Sequence, residues 1–186
     1  MLKVVSAPDE KLRIKTKPVK RVTPALLKIA QEMVKLTKTY TEPEGVGLAS
    51  TQVGRNEAMF VAKIDNGKVQ TKSKESQKWN FEVFFNPKII SYGPKTKTFF
   101  EGCLSIPNYF GETIRPTIIK VSYIDKSGQE IKKTLRGLPA WVFQHEVEHL
   151  DGKLFVDKVL SQKGRMFKVA GKDRAGNDIF KEVILT

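Results

Sequence analysis

The two histidines of this chain both lie in one short window, His145-Glu146-Val147-Glu148-His149. Residues four apart share a face of an α-helix, so both imidazoles can bind the same metal ion. Glu146 lies about 100° further round such a helix, close enough to exchange a proton with a water molecule that the metal activates. The window therefore predicts a hydrolytic metal site. The alternative is a pair of core histidines that bond to backbone carbonyls.

The third metal ligand must come from outside this window. A third histidine six residues after the second is one known arrangement, but Phe155 occupies that position. Glu182 is the only glutamate after the window, and it falls in a predicted strand. Cys103 is the remaining candidate, and Gly102 before it and a Ser-Ile-Pro turn after it indicate a shaped loop. One thiolate, two imidazoles and an open position suit catalytic Zn or Fe(II), although a lone cysteine can also be a core residue.

A glycine-bearing segment, Gly45-Val-Gly-Leu-Ala-Ser-Thr-Gln52, is the third candidate for chemistry. Glycine allows backbone to approach a bound peptide closely, and the Gln52 side chain offers an amide donor. The segment lacks the spacing of a phosphate-binding loop. By itself the segment is therefore weak evidence for a binding loop.

The histidines require a helix, and the sequence predicts one over residues 140–150. Gly137-Leu138-Pro139 opens it, and Asp151-Gly152 closes it with a glycine suited to a left-handed cap. The helix is apolar on most sides, which is typical of a buried helix. Burying two imidazoles and a carboxylate without partners costs free energy, and a metal ion would satisfy all three groups.

The other predicted elements surround this helix. Thr23-Pro24 begins a second, N-terminal helix that runs to about Thr39, because Thr favours the N-cap and Pro the first helical position. Strands are predicted at residues 59–64, 82–85 and 88–92, in a hairpin of residues 117–124 and 130–135, and in the tail at 166–170 and 179–185. Residues 1–22 read as an extended arm and residues 65–77 as a polar insertion. The predicted fold is α+β, with antiparallel β-sheets surrounding a buried metal-binding helix.

Composition places the chain among ordinary globular proteins, with 40% hydrophobic and 28% charged residues. Residues 1–186 are expected to form a single catalytic domain, which the C-terminal strands of residues 166–186 complete. One cysteine excludes an intrachain disulfide. The N-terminus lacks the apolar region of a secretory signal, and no apolar run approaches the roughly 18 residues of a membrane span. We expect a cytoplasmic protein without membrane contact.

The formal charge of +13 is large for this length. The lysines are spread along the chain and do not alternate with aromatic residues, which favours a solvated surface. The sequence contains no specific nucleic-acid motif. Affinity for RNA or a ribosome is the alternative explanation of the charge.

Three segments together resemble the three ordered motifs of the peptide deformylases: Gly45 to Gln52, Glu101 to Ser105 and Gln144 to Gly152. The N-terminal arm, with Pro-Asp-Glu-Lys-Leu-Arg at residues 8–13, extends the resemblance over most of the chain. The resemblance implies removal of the formyl group from N-formylmethionine at the start of nascent polypeptides. It also implies one divalent metal ion, usually Fe(II) in the cell, with Zn, Ni or Co able to replace it.

Motif by motif, the resemblance implies a role for twelve residues. The metal ligands would be Cys103, His145 and His149, and Glu146 would be the general base and then the acid. The oxyanion would be held by Gln52 and the backbone N–H of Leu104. The peptide groove and the methionine pocket would be formed by Val46, Gly47, Leu48, Gly102, Trp141 and Val142.

The chain departs from the family pattern at three positions. Glu148 replaces the commoner aspartate, Ser50 replaces an alanine, and Phe110 stands where some relatives have a basic residue for the substrate backbone. The tail lacks the long basic helix with which some bacterial relatives dock on the ribosome, so ribosome association stays open. We also hypothesise that Glu101 pairs with Arg115 and braces the Cys103 loop.

Two other functions remain as alternatives. A metallopeptidase that cuts internal peptide bonds would use the same helical motif. A basic ribosome- or RNA-associated protein would carry a structural metal with four protein ligands, for which the sequence offers no second cysteine or third histidine.

Overall fold

The computed structural model describes residues 2–64 and 80–184. The predicted polar insertion at residues 65–77 lies outside the described residues. The helices are α1 (Pro24–Thr37), α2 (Leu138–Leu150) and α3 (Phe155–Gln162). The strands are β1 (Gly47–Ala49), β2 (Met59–Lys63), β3 (Phe81–Tyr92), β4 (Thr96–Cys103), β5 (Ile106–Pro116), β6 (Ile118–Ile124), β7 (Glu130–Arg136), β8 (Met166–Lys172) and β9 (Asp178–Val183).

The strands form two antiparallel sheets. One sheet has five strands in the order β1-β2-β3-β6-β7, and the other has four in the order β4-β5-β8-β9. Helix α2 packs against the five-stranded sheet, where Phe143 meets the rings of Phe60 and Phe84 edge-on at 5.2 and 5.5 Å. The other face of α2 is turned toward β4 and β5, so the predicted α+β fold around a buried helix is confirmed.

Both predicted helices are present. The Thr23 side chain caps α1 by accepting a hydrogen bond from the Leu26 N–H, and Pro24 is the first helical residue, as its fixed φ favours. Helix α1 ends at Thr37, slightly earlier than predicted. Helix α2 begins two residues before the predicted start, and Gly152 after it has a φ of 71°, the left-handed conformation that glycine favours.

Strand β3 corrects one prediction, because residues 82–85 and 88–92 form a single strand rather than two. A bulge between Phe85 and Lys88 accommodates Asn86, which has a φ of 49°. The Asn86 side chain bonds to both the N–H and the carbonyl of Val19, at 2.7 and 2.8 Å. The Asn-Pro pair therefore bends the strand and holds the N-terminal arm, whereas the sequence suggested a break.

The β4–β5 hairpin corrects a second prediction. Cys103 is the last residue of β4 instead of part of an irregular loop, and it pairs with Ile106 of β5 across a turn at Leu104 and Ser105. The predicted Ser-Ile-Pro turn is wrong, since the isoleucine and the proline already belong to β5. Helix α3 was also not predicted from the sequence.

Among the described residues, no helix combines the length and the hydropathy needed to cross a membrane.

Candidate metal centre and active site

The end of β4 and one face of α2 together place three possible metal ligands side by side. Cys103 Sγ and one ring nitrogen from each of His145 and His149 all lie within 4.8 Å of one another. Sγ is 3.2 Å from His149 Nε2. One ion with bonds of about 2.0 to 2.3 Å to nitrogen and sulfur fits between ligands at this spacing.

A hydrogen bond to Glu101 orients the first histidine. His145 Nδ1 lies 3.0 Å from Glu101 Oε2, so the Nδ1–H donates to the carboxylate and Nε2 is left to bind a metal. Glu101 also accepts hydrogen bonds from the Thr113 hydroxyl and from Arg115, whose Nη2 lies 3.0 Å from Oε2. The hypothesised contact of Glu101 with Arg115 is present, and it fixes the carboxylate that accepts the hydrogen bond from His145. That the pair braces the Cys103 loop stays a prediction.

Arg115 extends this network to Glu148. The guanidinium nitrogens donate to the two Glu148 oxygens at 2.9 and 2.8 Å, and Lys158 Nζ lies 2.9 Å from Oε1. Glu148 therefore connects α2 to β5 and α3, which the sequence did not reveal. The signal available was its position three residues after His145, on the same side of the helix.

The charged groups of this network stabilise one another's ionised forms. Burial raises the pKa of Glu101, but the hydrogen bonds from His145 and Arg115 outweigh it and hold that pKa well below the ordinary range. Burial lowers the pKa of Arg115, but Glu101 and Glu148 raise it above its usual value. Burial also lowers the pKa of His149 well below normal, which keeps this imidazole in the neutral form that binds metals.

Glu146 has an opposite environment. Its Oε2 is buried with no hydrogen-bond partner among the described residues, and burial raises its pKa to about 7. Gly47 of β1 lies directly against it, since a Cβ on Gly47 would sit 2.8 Å from the carboxylate carbon. An unpartnered carboxylate beside two histidines and a thiol is the donor set expected around a catalytic metal.

Gln52 connects the first motif to the second. Its Oε1 accepts a hydrogen bond from the Ala49 N–H at 2.8 Å, which fixes the amide. Its Nε2 then donates to Ser105 Oγ at 3.1 Å and contacts Cys103 Sγ at 3.4 Å. The Gln52 amide thus lies beside the sulfur, at the centre of the candidate site.

Neighbouring groups hold these motifs in place. The Thr51 hydroxyl donates to the His149 carbonyl at 3.2 Å. The buried hydroxyl of Ser50 donates to the Glu57 carbonyl at 2.6 Å, so this departure from the family pattern leaves no unsatisfied polar group. Backbone N–H groups of the N-terminal arm bond to the carbonyls of Gln52 and Ser105, both at 2.8 Å.

A cavity of about 330 Å³ opens over these groups. Of the residues predicted to contact substrate, it is lined by Val46, Gly47, Gly102, Trp141 and Val142, together with Gln52 and Leu104. Leu48 is not among the lining residues, because its side chain is fully buried in the core with Met33 and Val61. Sequence reasoning did not predict Pro43, Phe100 and Leu138 as part of this lining.

Known proteins share this sequence and fold. The sequence model of the polypeptide deformylase family matches residues 1–165. A peptide deformylase of Mesorhizobium japonicum is 37% identical over 176 residues, covering 92% of this chain and 94% of the relative. The crystal structure of peptide deformylase from Thermotoga maritima has a TM-score of 0.73 at 34% identity and covers 85% of this chain and 97% of that chain. A probable peptide deformylase from Synechococcus phage S-SSM7 has a TM-score of 0.74 at 34% identity and covers 85% and 99%.

Antiparallel sheets around a helix that bears two histidines, with a cysteine facing them from a strand, define a metal-dependent hydrolase. The sequence match over nearly the whole chain makes the assignment more specific. The chain belongs to the polypeptide deformylase family and is an enzyme of that family. Its divalent metal site consists of Cys103, His145 and His149.

Proposed function

We propose that the chain removes the N-formyl group from the N-terminal formylmethionine of newly made polypeptides and releases formate. The observation that carries this function is the position of Glu146, which has a raised pKa and no hydrogen-bond partner for Oε2 among the described residues. It lines the same cavity as Cys103 and His145, which cluster with His149. Formyl is the smallest acyl group, so a confined site can accept it and exclude acetyl.

The proposed cofactor is one Fe(II) ion, and Zn, Ni or Co could take its place. Sulfur and imidazole donors suit all four metals, so the choice of Fe(II) depends on the family resemblance. When bound, the ion would lower the pKa of a water molecule and polarise the formyl carbonyl. Glu101 supports metal binding by this chain, because its hydrogen bond to His145 Nδ1 orients the ring so that Nε2 can bind the ion.

Glu146 would act first as general base and then as general acid. A pKa of about 7 lets it accept a proton from the attacking water at neutral pH and return it afterwards. The proton would go to the amine nitrogen of methionine as the C–N bond to the formyl carbon breaks. The side chain is 3% exposed, which would limit exchange of this proton with bulk water.

Gln52 and the backbone N–H of Leu104 would hold the oxyanion that develops on the formyl oxygen. Gln52 is 2% exposed and lies beside Cys103, where its amide could donate to an entering oxygen. Leu104 follows Cys103 directly in the turn between β4 and β5. A donor of this kind typically contributes about 100- to 1000-fold in rate.

The methionine side chain would occupy the apolar part of the cavity beside Trp141 and Val142. Phe99 stacks on Trp141, with ring centroids 5.1 Å apart, and holds this wall in place. The peptide backbone would run past Val46, Gly47 and Gly102, where small residues and extended strands permit close approach. Leu48 would contribute through its backbone alone, since its side chain is in the core.

The natural substrates would be nascent chains in the cytoplasm, which the protein would meet as a single catalytic domain. A formal charge of +13 would attract the protein to the anionic surface of a ribosome, where such chains emerge. Salt-dependent co-sedimentation with ribosomes would test this association separately from the activity.

Formate release from formyl-Met-Ala-Ser by freshly prepared Fe(II) protein tests the proposed function. We expect formate from this peptide and no acetate from acetyl-Met-Ala-Ser. Casein is the control for a metallopeptidase, and it should stay intact. Casein cleavage without formate release would contradict the proposal and favour the peptidase alternative.

A further inference from the structure

Four phenylalanines form an aromatic cluster next to the metal centre. The rings of Phe100 and Phe110 are stacked, with centroids 5.3 Å apart and planes within 5° of each other. Phe180 of β9 meets both rings edge-on, at 5.0 and 5.1 Å, and Phe167 of β8 lies 5.4 Å from Phe100. The C-terminal hairpin therefore supports the stacked pair from behind.

The stacked pair belongs to the cavity and is open to solvent. Phe100 and Phe110 both line the cavity that contains Cys103 and Glu146, and Phe100 is 41% exposed. The Phe110 ring covers Gly102, where an added Cβ would lie 3.0 Å from the ring carbon Cδ1. We call Phe100 and Phe110 the aromatic wall.

The lining has little positive charge to offer a substrate. Among the described lining residues there is no lysine or arginine, and the ionisable side chains outside the metal cluster and Glu146 are limited to Glu44. Glu44 already bonds to Lys63 Nζ at 2.5 Å. An acidic substrate side chain would thus find no cation among the described residues that line the cavity. Arg165 lies 5.4 Å from the Phe167 ring, but it is already paired with Glu112.

The aromatic wall and the methionine pocket belong to one cavity and lie on opposite faces of β4. Phe99 points to Trp141, so Phe100 points to the opposite face, because successive strand residues alternate. Strand β4 is an edge strand, along which an extended peptide can lie with its own side chains alternating. If the substrate's methionine side chain lies on the Trp141 side of β4, the side chain of a later substrate residue would face the aromatic wall.

We propose that the aromatic wall determines specificity, selecting formyl-Met peptides with an aromatic or large apolar residue in one of the two positions after methionine. The inference rests on the proposed function and names its preferred substrates. Contact with a stacked aromatic pair favours such a residue, whereas an aspartate there would be desolvated without a partner.

The test compares kcat/KM for two series, formyl-Met-Xaa-Ala and formyl-Met-Ala-Xaa, where Xaa is Phe, Leu, Ala or Asp. We expect the protein to favour Phe over Asp by about tenfold in one of the two series. In Phe100→Ala this ratio should fall toward one. In Phe100→Lys the ratio should fall further, because the new cation attracts the aspartate.

Ile114→Lys is the matched control. Ile114 is 48% exposed on β5 and does not line the cavity, so the same new charge there should leave the preference unchanged. Equal kcat/KM for Phe and Asp in both wild-type series would overturn the inference, even if the Phe100 variants do not fold. So would a preference that persists in both folded Phe100 variants or is lost in Ile114→Lys. Failure of the wild type to release formate from any formyl-Met peptide would instead overturn the proposed function and the inference with it.

Discussion

Two buried carboxylates lie next to the histidines, and their surroundings move their pKa values in opposite directions. Glu101 receives hydrogen bonds from Arg115, Thr113 and His145 and stays ionised. Glu146 has no hydrogen-bond partner for Oε2 among the described residues, and its pKa rises to about 7. A fixed anion suits the task of orienting a metal ligand, and a carboxylate that titrates near neutral pH suits proton transfer.

Glu146→Gln separates proton transfer from metal binding. The glutamine keeps the size of the side chain but cannot accept the proton, so we expect the metal content to be unchanged and kcat to fall at least about 100-fold. Elemental analysis and formate release measure the two quantities. A variant that loses metal while residual protein stays active would reverse the assigned role.

Arg115→Ala tests the buried ion pair. Arg115 and Glu101 are 1% and 0% exposed, and removal of the arginine leaves a buried negative charge without its guanidinium partner. We expect a loss of about 3 to 5 kcal/mol in the free energy of unfolding, measured with urea, and weaker metal binding. Arg165→Ala is the control, because its pair with Glu112 is exposed and screened by solvent, so its removal should leave the free energy of unfolding nearly unchanged. Equal effects of the two substitutions would contradict the assigned role of Arg115.

The sequence predicts the residues that bear the chemistry better than those that hold them. A chain with two histidines and one cysteine offers few possible sets of metal ligands, and the helical repeat places the two histidines on one face of the helix. Glu148 bonds to Arg115, 33 residues away, and Thr113 bonds to Glu101, 12 residues away, so no local pattern reveals these contacts. Leu48 is another residue whose position the motif does not reveal: Val46 and Gly47 before it line the cavity, but its own side chain lies in the core.

At the scale of elements, β1 lies directly against the Glu146 side chain of α2 at Gly47. A methyl group on Gly47 would collide with the Glu146 carboxylate. We expect Gly47→Ala to move this carboxylate and lower kcat about 100-fold, with the metal content preserved. Metal analysis beside steady-state kinetics checks this prediction. A Gly47→Ala protein with wild-type kcat would show that the close packing is not needed for proton transfer.

The elements that sequence reasoning missed have identifiable causes. Strand β4 mixes lysine, threonine and glycine, and it gains stability from pairing with β5 more than from its own composition. Helix α3 has eight residues, too few for a clear helical repeat, and it is capped by Asp157, whose carboxylate accepts a hydrogen bond from the Leu154 N–H. Tertiary contacts therefore decide both elements.

Across the whole molecule, the metal site joins the two sheets. Cys103 comes from the four-stranded sheet, and the histidines come from the helix that packs on the five-stranded sheet. The overall arrangement was predictable because the apolar helix needed cover on both sides. The division of the strands between two sheets was not predictable from the sequence, because a strand pattern does not show which strands pair with one another.

Metal loading should therefore stabilise the protein as a whole. An ion that binds the folded chain only, at a concentration about 1000 times its Kd, raises the free energy of unfolding by about 4 kcal/mol. Urea unfolding with the metal and after chelation measures this difference, and Cys103→Ala should reduce it strongly. Identical unfolding curves with and without metal would mean that the ion does not connect the two sheets.

X-ray absorption at the metal edge of the loaded protein tests the central claim most directly. We predict one sulfur at about 2.3 Å and two imidazole nitrogens at about 2.0 to 2.1 Å, with the remaining position held by a light atom from solvent. In Cys103→Ser the sulfur contribution should disappear. A wild-type spectrum without sulfur, or one fitted by four protein ligands, would contradict the account.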